Sequence, residues 1–130
     1  LFPYTTLFRS CQSATEIKQK QYFVEGLELY KKNCANCHQI DGTGLAGLYP
    51  PIANSEFLKG NKLKMICYMH NGINDSLTIN GKRFKQAMPA NRALEPLDLA
   101  EITTFVYNKW GGETKITEIT TVEEALLKCK

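Results

Sequence analysis

Residues 34–38 read Cys34-Ala35-Asn36-Cys37-His38, and the rest of the chain is best read outward from them. Two cysteines at i and i+3 fall on the same side of a helical turn. Both sulfurs can therefore reach along one edge of a flat macrocycle, and the histidine directly after the second cysteine projects its imidazole toward the ring centre. C-x-x-C-H is the spacing of covalent c-type haem attachment. Two other chemistries use paired cysteines. A thioredoxin-like redox pair needs a preceding strand and a βαβ frame, whereas a helical pattern leads into Cys34. A structural zinc site needs a second ligand pair at matching spacing, which Cys67 and Cys129 do not supply.

On the N-terminal side, Phe23, Leu27 and Tyr30 recur at helical spacing among lysines and glutamates, which predicts an amphipathic helix over residues 22–36. Residues 11–21, CQSATEIKQKQ, are polar and unpatterned and read as a tether. Residues 1–10, LFPYTTLFRS, resemble a translated sequencing adapter and are set aside from the fold. On the C-terminal side, DGTGLAGLYPP (residues 41–51) holds three glycines and two prolines and reads as a loop. Residues 61–70 predict a second helix with Leu63, Ile66, Cys67 and His70 on one face, ended by Asn71-Gly72. LTINGKRF (residues 77–84) predicts a hairpin about Asn80-Gly81. Pro96 opens a third helix whose stripe is Leu99, Ile102, Val106 and Trp110, and Gly111-Gly112 stops it. The tail, residues 113–130, is mixed, with a short helix over 122–128.

The expected fold class is all-α: one domain over residues 22–112, three main helices with a short hairpin, and a C-terminal extension. The 130 residues carry a formal charge of +3, with no clustered basic stripe of the kind nucleic acid requires. No run approaches the roughly 18 apolar residues of a membrane-spanning helix. The lysines of residues 59–64 read as a solvated face, with steering of an acidic partner as the second reading. The expected state is a monomer.

Residues 22–111 resemble a class I c-type cytochrome of the small bacterial single-haem kind. The resemblance rests on VEGLELYKKNCANCH, LYPPIAN, the NG…INGKRF segment, AMPA, and LEPLDLAEITTFVYNKWG, in that order along the chain. It implies one haem c held by thioethers to Cys34 and Cys37, with His38 as proximal ligand and Met88, in its Met-Pro pair, as distal ligand. It also implies that Pro50, or Pro51 if the register slips by one, offers its carbonyl to the proximal imidazole, a contact that sets ring orientation and ligand basicity. Gly26 then lets the last helix cross closely, an aromatic of residues 105–107 filling the gap. His70 reads as a packed or half-exposed histidine rather than a second axial ligand, Met65 and Met69 as core, and Trp110 as core.

The function implied is single-electron transfer between redox partner proteins such as a membrane oxidase or reductase, with no side chain acting as acid, base or nucleophile. The rival readings are an open-site haem sensor or peroxidase-like domain, and a detached domain of a larger oxidoreductase. Cys67 and Cys129 either pair, stapling the tail across the second helix, or stay as two free thiols. Because covalent haem attachment of this type follows export in bacteria, the expected location is the periplasm or cell envelope. Cys11 is the expected site of a lipid anchor.

Overall fold

The computed structural model describes Pro3 and residues 11–129, so the adapter-like reading of residues 1–10 falls, Pro3 apart, outside the described residues. The elements run α1 (Ala14–Asn33), α2 (Ala35–His38), a 3-10 turn at Glu56–Leu58, α3 (Lys62–Asn71), β1 (Leu77–Ile79), β2 (Lys82–Phe84), α4 (Pro96–Lys109) and α5 (Ile119–Lys128). The all-α class with a two-stranded hairpin is as expected.

The tether expected at residues 11–21 is corrected: the chain is helical from Ala14 onward. Ser13 accepts a hydrogen bond on its side-chain oxygen from the Glu16 amide at 3.2 Å, which satisfies one of the free donors of the first turn. No apolar face is needed there, because polar partners hold the segment. Gln19 donates to the Asn108 side chain at 2.5 Å, and Lys18 pairs with Glu118 at 3.3 Å.

Further along, α1 crosses α4 at Gly26. A Cβ at this position would lie 2.1 Å from the Glu101 carbonyl oxygen and 2.9 Å from the Phe105 Cβ, so only a residue without a side chain permits the crossing. Phe105 is the aromatic that fills the gap, with ring centroids 5.3 Å from Phe23 and 5.3 Å from Tyr30. Trp110 packs edge-on against Tyr30 and Phe105, in keeping with a core role.

α4 is the central element. Its N-terminus carries a capping box between Glu95 and Asp98 with Pro96 in the first turn. Leu99, Ile102 and Val106 are buried as expected, and so are Ala100, Thr103, Thr104, Phe105 and Tyr107. The two threonine hydroxyls are satisfied inside the helix, donating to the Leu99 and Ala100 carbonyls.

The expected face of α3 is also corrected. Met65, Ile66 and Met69 are buried, while Leu63 is exposed and His70 is half-exposed and bonded to the Asn71 side chain. α3 packs against both α4 and α5, so its burial does not follow one stripe. Cys67, on the α5 side, is joined to Cys129 by a disulfide with Cα atoms 5.5 Å apart. α5 is longer than expected and buries Val122 and Ala125 against α3 and α4.

The hairpin pairs Leu77 with Phe84 and Ile79 with Lys82. Asn80 and Gly81 have φ of 50° and 75°, the pair of positive values that a two-residue type I′ turn demands. Its tip is pinned to the 3-10 turn, since Asn80 accepts from the Glu56 amide and donates its own amide to the Glu56 carboxylate, both at 2.9 Å.

Candidate functional site

The helix running into the cysteine pair does not continue straight through it. At Cys34 the backbone leaves helical geometry (φ −122°, ψ −36°), then re-enters it for the single turn of α2. The Cys34 carbonyl accepts from both the Cys37 and His38 amides, at 3.2 and 2.9 Å, so the two thiols sit on one tight turn. That turn is held at its far end as well. The Tyr30 hydroxyl donates to the Gln39 carbonyl at 2.7 Å, and the Gly44 amide donates to the His38 carbonyl at 2.8 Å. Burial, with the neighbouring Cys37 thiol second, pushes the Cys34 thiol up to about 12.

His38 donates from Nδ1 to the Pro50 carbonyl at 2.9 Å. A carbonyl can only accept, so the neutral ring carries its proton on Nδ1 and leaves the Nε2 lone pair free for a metal. Burial lowers the imidazole's proton affinity and the Pro50 bond opposes that only in part, which favours the neutral, ligating form. Pro50 is the partner; Pro51 is not. Gly44, with φ of 69°, makes this approach achievable: a Cβ there would lie 2.4 Å from the Tyr49 oxygen and 2.7 Å from the Pro50 oxygen. The glycine-rich loop was legible in the sequence, but which glycine faces the Pro50 carbonyl was not.

Met88 comes from a different part of the chain. It forms an isolated antiparallel bridge with Ile73, each amide donating to the other's carbonyl at 2.8 and 2.9 Å. Cys34, His38 and Met88 line one cleft that opens to the surface. Its walls are almost wholly apolar: Met65, Tyr68 and Met69 from α3, Leu77 and Ile79 from the hairpin region, Ile102 and Val106 from α4, and Ile52 from the loop. An adjoining pocket lined by Cys34, Cys37, His38, Met88 and Leu94 carries the cleft past the second cysteine. The fold therefore gathers Cys34, Cys37, His38, Pro50 and Met88, from three separate segments, around one space. His70 is not among the residues lining it. Met65 and Met69 are buried as expected, but their place in the cleft wall was not foreseen, because a periodic pattern marks a core without saying what fills it.

The donor set suits a haem: two thiols on one turn, a neutral imidazole with its ring nitrogen free, a thioether, and apolar walls for a flat macrocycle. Such an arrangement defines a haem-binding helical domain built for electron transfer. The family model for cytochrome c matches residues 23–110, and the chain belongs to the cytochrome c family. Among known proteins it is similar to cytochrome c-552 of Thermus thermophilus, 26% identical over 96 residues that span 71% of this chain and 72% of that protein. A second cytochrome c-552 from the same species is 26% identical, with 64% of its length covered. The chain is also 30% identical over 93 residues to the cytochrome c subunit of a quinone alcohol dehydrogenase of Gluconacetobacter polyoxogenes, spanning 69% of this chain and 19% of that subunit. The chain is a haem-binding electron-transfer protein by family.

Proposed function

We propose that this chain carries a single haem c, bound by thioethers to Cys34 and Cys37 and ligated by His38 and Met88, and passes single electrons between partner proteins of the cell envelope. The observation that carries the reading is the convergence of Cys34, His38 and Met88 on one apolar cleft from separate segments. Bound there, a haem would supply a one-electron ferric/ferrous couple, and Met88 together with His38 as its ligands would raise the potential. The protein's own work is positional. The Pro50 carbonyl holds the His38 ring in one tautomer and orientation. The Ile73 bridge holds Met88 at the cleft. The apolar walls exclude water and so keep the charge change in a low-dielectric setting.

The test is Met88→Ala. In the parent protein the ferric form should show the near-infrared band of iron–thioether bonding. The variant should lose that band, lower its potential, and bind azide at least roughly tenfold more tightly, since no internal ligand competes. A variant with unchanged band and potential would leave Met65 or Met69 as the sulfur source.

A second reading is that the chain works inside a larger oxidoreductase. The similarity to cytochrome c subunits of quinone alcohol dehydrogenases supports it, since the matched part is 19% of such a subunit. A dehydrogenase or a membrane oxidase is then the proposed redox partner, and co-purification from a native membrane extract separates a soluble shuttle from a subunit. The proposed lipid anchor at Cys11 would hold the domain close to a membrane, because Cys11 is exposed and only two residues separate it from α1.

A further inference from the structure

Gly72 follows the last residue of α3 and has φ 75°, ψ −179°, a region of backbone space that is essentially closed to residues with a side chain. Helix ends commonly carry a glycine, so this alone marks a stop. Its surroundings ask for more. A Cβ at Gly72 would lie 2.6 Å from the Met88 carbonyl oxygen, 2.6 Å from the Ala90 amide nitrogen and 3.0 Å from the Pro89 carbonyl carbon. All three are backbone atoms, which cannot swing aside as a side-chain tip can. The segment carrying Met88 is thus laid directly over Gly72, and the next residue, Ile73, makes the two-bond bridge to Met88. Gly60 and Gly81 have nearly the same φ, 74° and 75°, with nothing near where a Cβ would stand. They need the conformation and not the space. Gly72 needs both.

We propose that Gly72 is a positioning residue for Met88: its missing side chain sets how closely the residue 88–90 backbone approaches α3, and through that how far the Met88 sulfur reaches into the cleft. The proposal rests on the reading of Met88 as the iron's sulfur ligand. A side chain at residue 72 pushes the 88–90 backbone away from α3 and shifts the balance between sulfur-bound and sulfur-free iron. Nothing about Cys34, Cys37 or His38 need change, because they sit on α2 and its approach.

The experiment compares holoprotein of the parent, Gly72→Ala, Gly60→Ala and Met88→Ala. Covalent haem on a denaturing gel and far-ultraviolet circular dichroism report attachment and fold. The near-infrared band, the midpoint potential and azide titration report the sulfur bond. Gly72→Ala is expected to keep covalent haem while weakening the band, lowering the potential and tightening azide binding by roughly tenfold, whereas Gly60→Ala matches the parent. Adding Gly72→Ala to Met88→Ala is expected to leave azide affinity unchanged, since the two act on one bond. If Gly72→Ala alters these signals no more than Gly60→Ala does, the proposal is overturned and Gly72 merely ends a helix. Should the alanine chain not accumulate, Gly72→Ser expressed at lower temperature takes its place, adding the same Cβ with a small polar tip. If neither accumulates with haem while Gly60→Ala does, Gly72 serves folding and the positioning role falls. A parent protein without the band, binding azide as Met88→Ala does, would refute the sulfur ligation itself, a failure visible before any Gly72 variant is read.

Discussion

At the scale of single residues, the imidazole side of the cleft depends on atoms that carry no side-chain chemistry. His38 bonds a backbone carbonyl, and that carbonyl is where it is because Gly44 has no Cβ to push Tyr49 and Pro50 away. Gly44→Ala should therefore lengthen or break the Nδ1 bond. An imidazole without its acceptor is a less basic ligand, and the ferric state loses support. The potential should rise, by up to roughly 60 mV if a hydrogen bond of about 0.5–1.5 kcal/mol is lost from one oxidation state only. That is opposite in sign to the loss of a sulfur ligand, so redox titration distinguishes injury at His38 from injury at Met88. Spacing and resemblance singled out Cys34, Cys37, His38 and Met88, which sit in short motifs, and the fold brings these four to one cleft. Gly44 was not singled out, because a glycine's role lies in what its absent side chain would strike, and that depends on a carbonyl several residues away.

Among the elements, the α1–α4 crossing is the joint on which the cleft is built. α1 delivers Cys34 at its end, and α4 supplies Ile102 and Val106 to the wall. Gly26→Ala would place a methyl 2.1 Å from the Glu101 carbonyl oxygen, and neither helix backbone can yield without moving the other. The expected cost is about 1–3 kcal/mol or more, seen as a lower denaturation midpoint of the holoprotein with its visible spectrum little changed. Helix α4 was legible in detail because its stripe, proline start and glycine stop agree. The start of α1 was not, because hydrophobic spacing marks only the part of a helix that meets the core, and the Ser13 cap carries the first two turns without one. α3 misled for a different reason. It is packed on more than one side, so Met65 and Met69 face the cleft while Cys67 faces α5, and no single stripe describes it.

Over the whole molecule, the C-terminal segment beyond the cytochrome c match is a covalent brace. Cys67 and Cys129 are 62 residues apart in sequence, and their bond ties α5 to the helix that carries Met65, Tyr68 and Met69 to the cleft. Replacing both by serine should cost about 2–4 kcal/mol, measured by denaturant unfolding of the holoprotein, with covalent haem retained. The pairing could not be decided from two cysteines alone, since it depends on α5 folding back over α3. Its presence sets a conflict in how the chain matures. The proposed thioether attachment would require Cys34 and Cys37 as free thiols, whereas Cys67 and Cys129 lose theirs to their disulfide. One polypeptide thus asks for reducing and oxidising treatment at once. Oxidant supplied before the haem can capture Cys34 and Cys37 in bonds to each other, or to the wrong partner, so the order of these two covalent events decides whether the chain ripens into a carrier or is trapped as a crosslinked apoprotein.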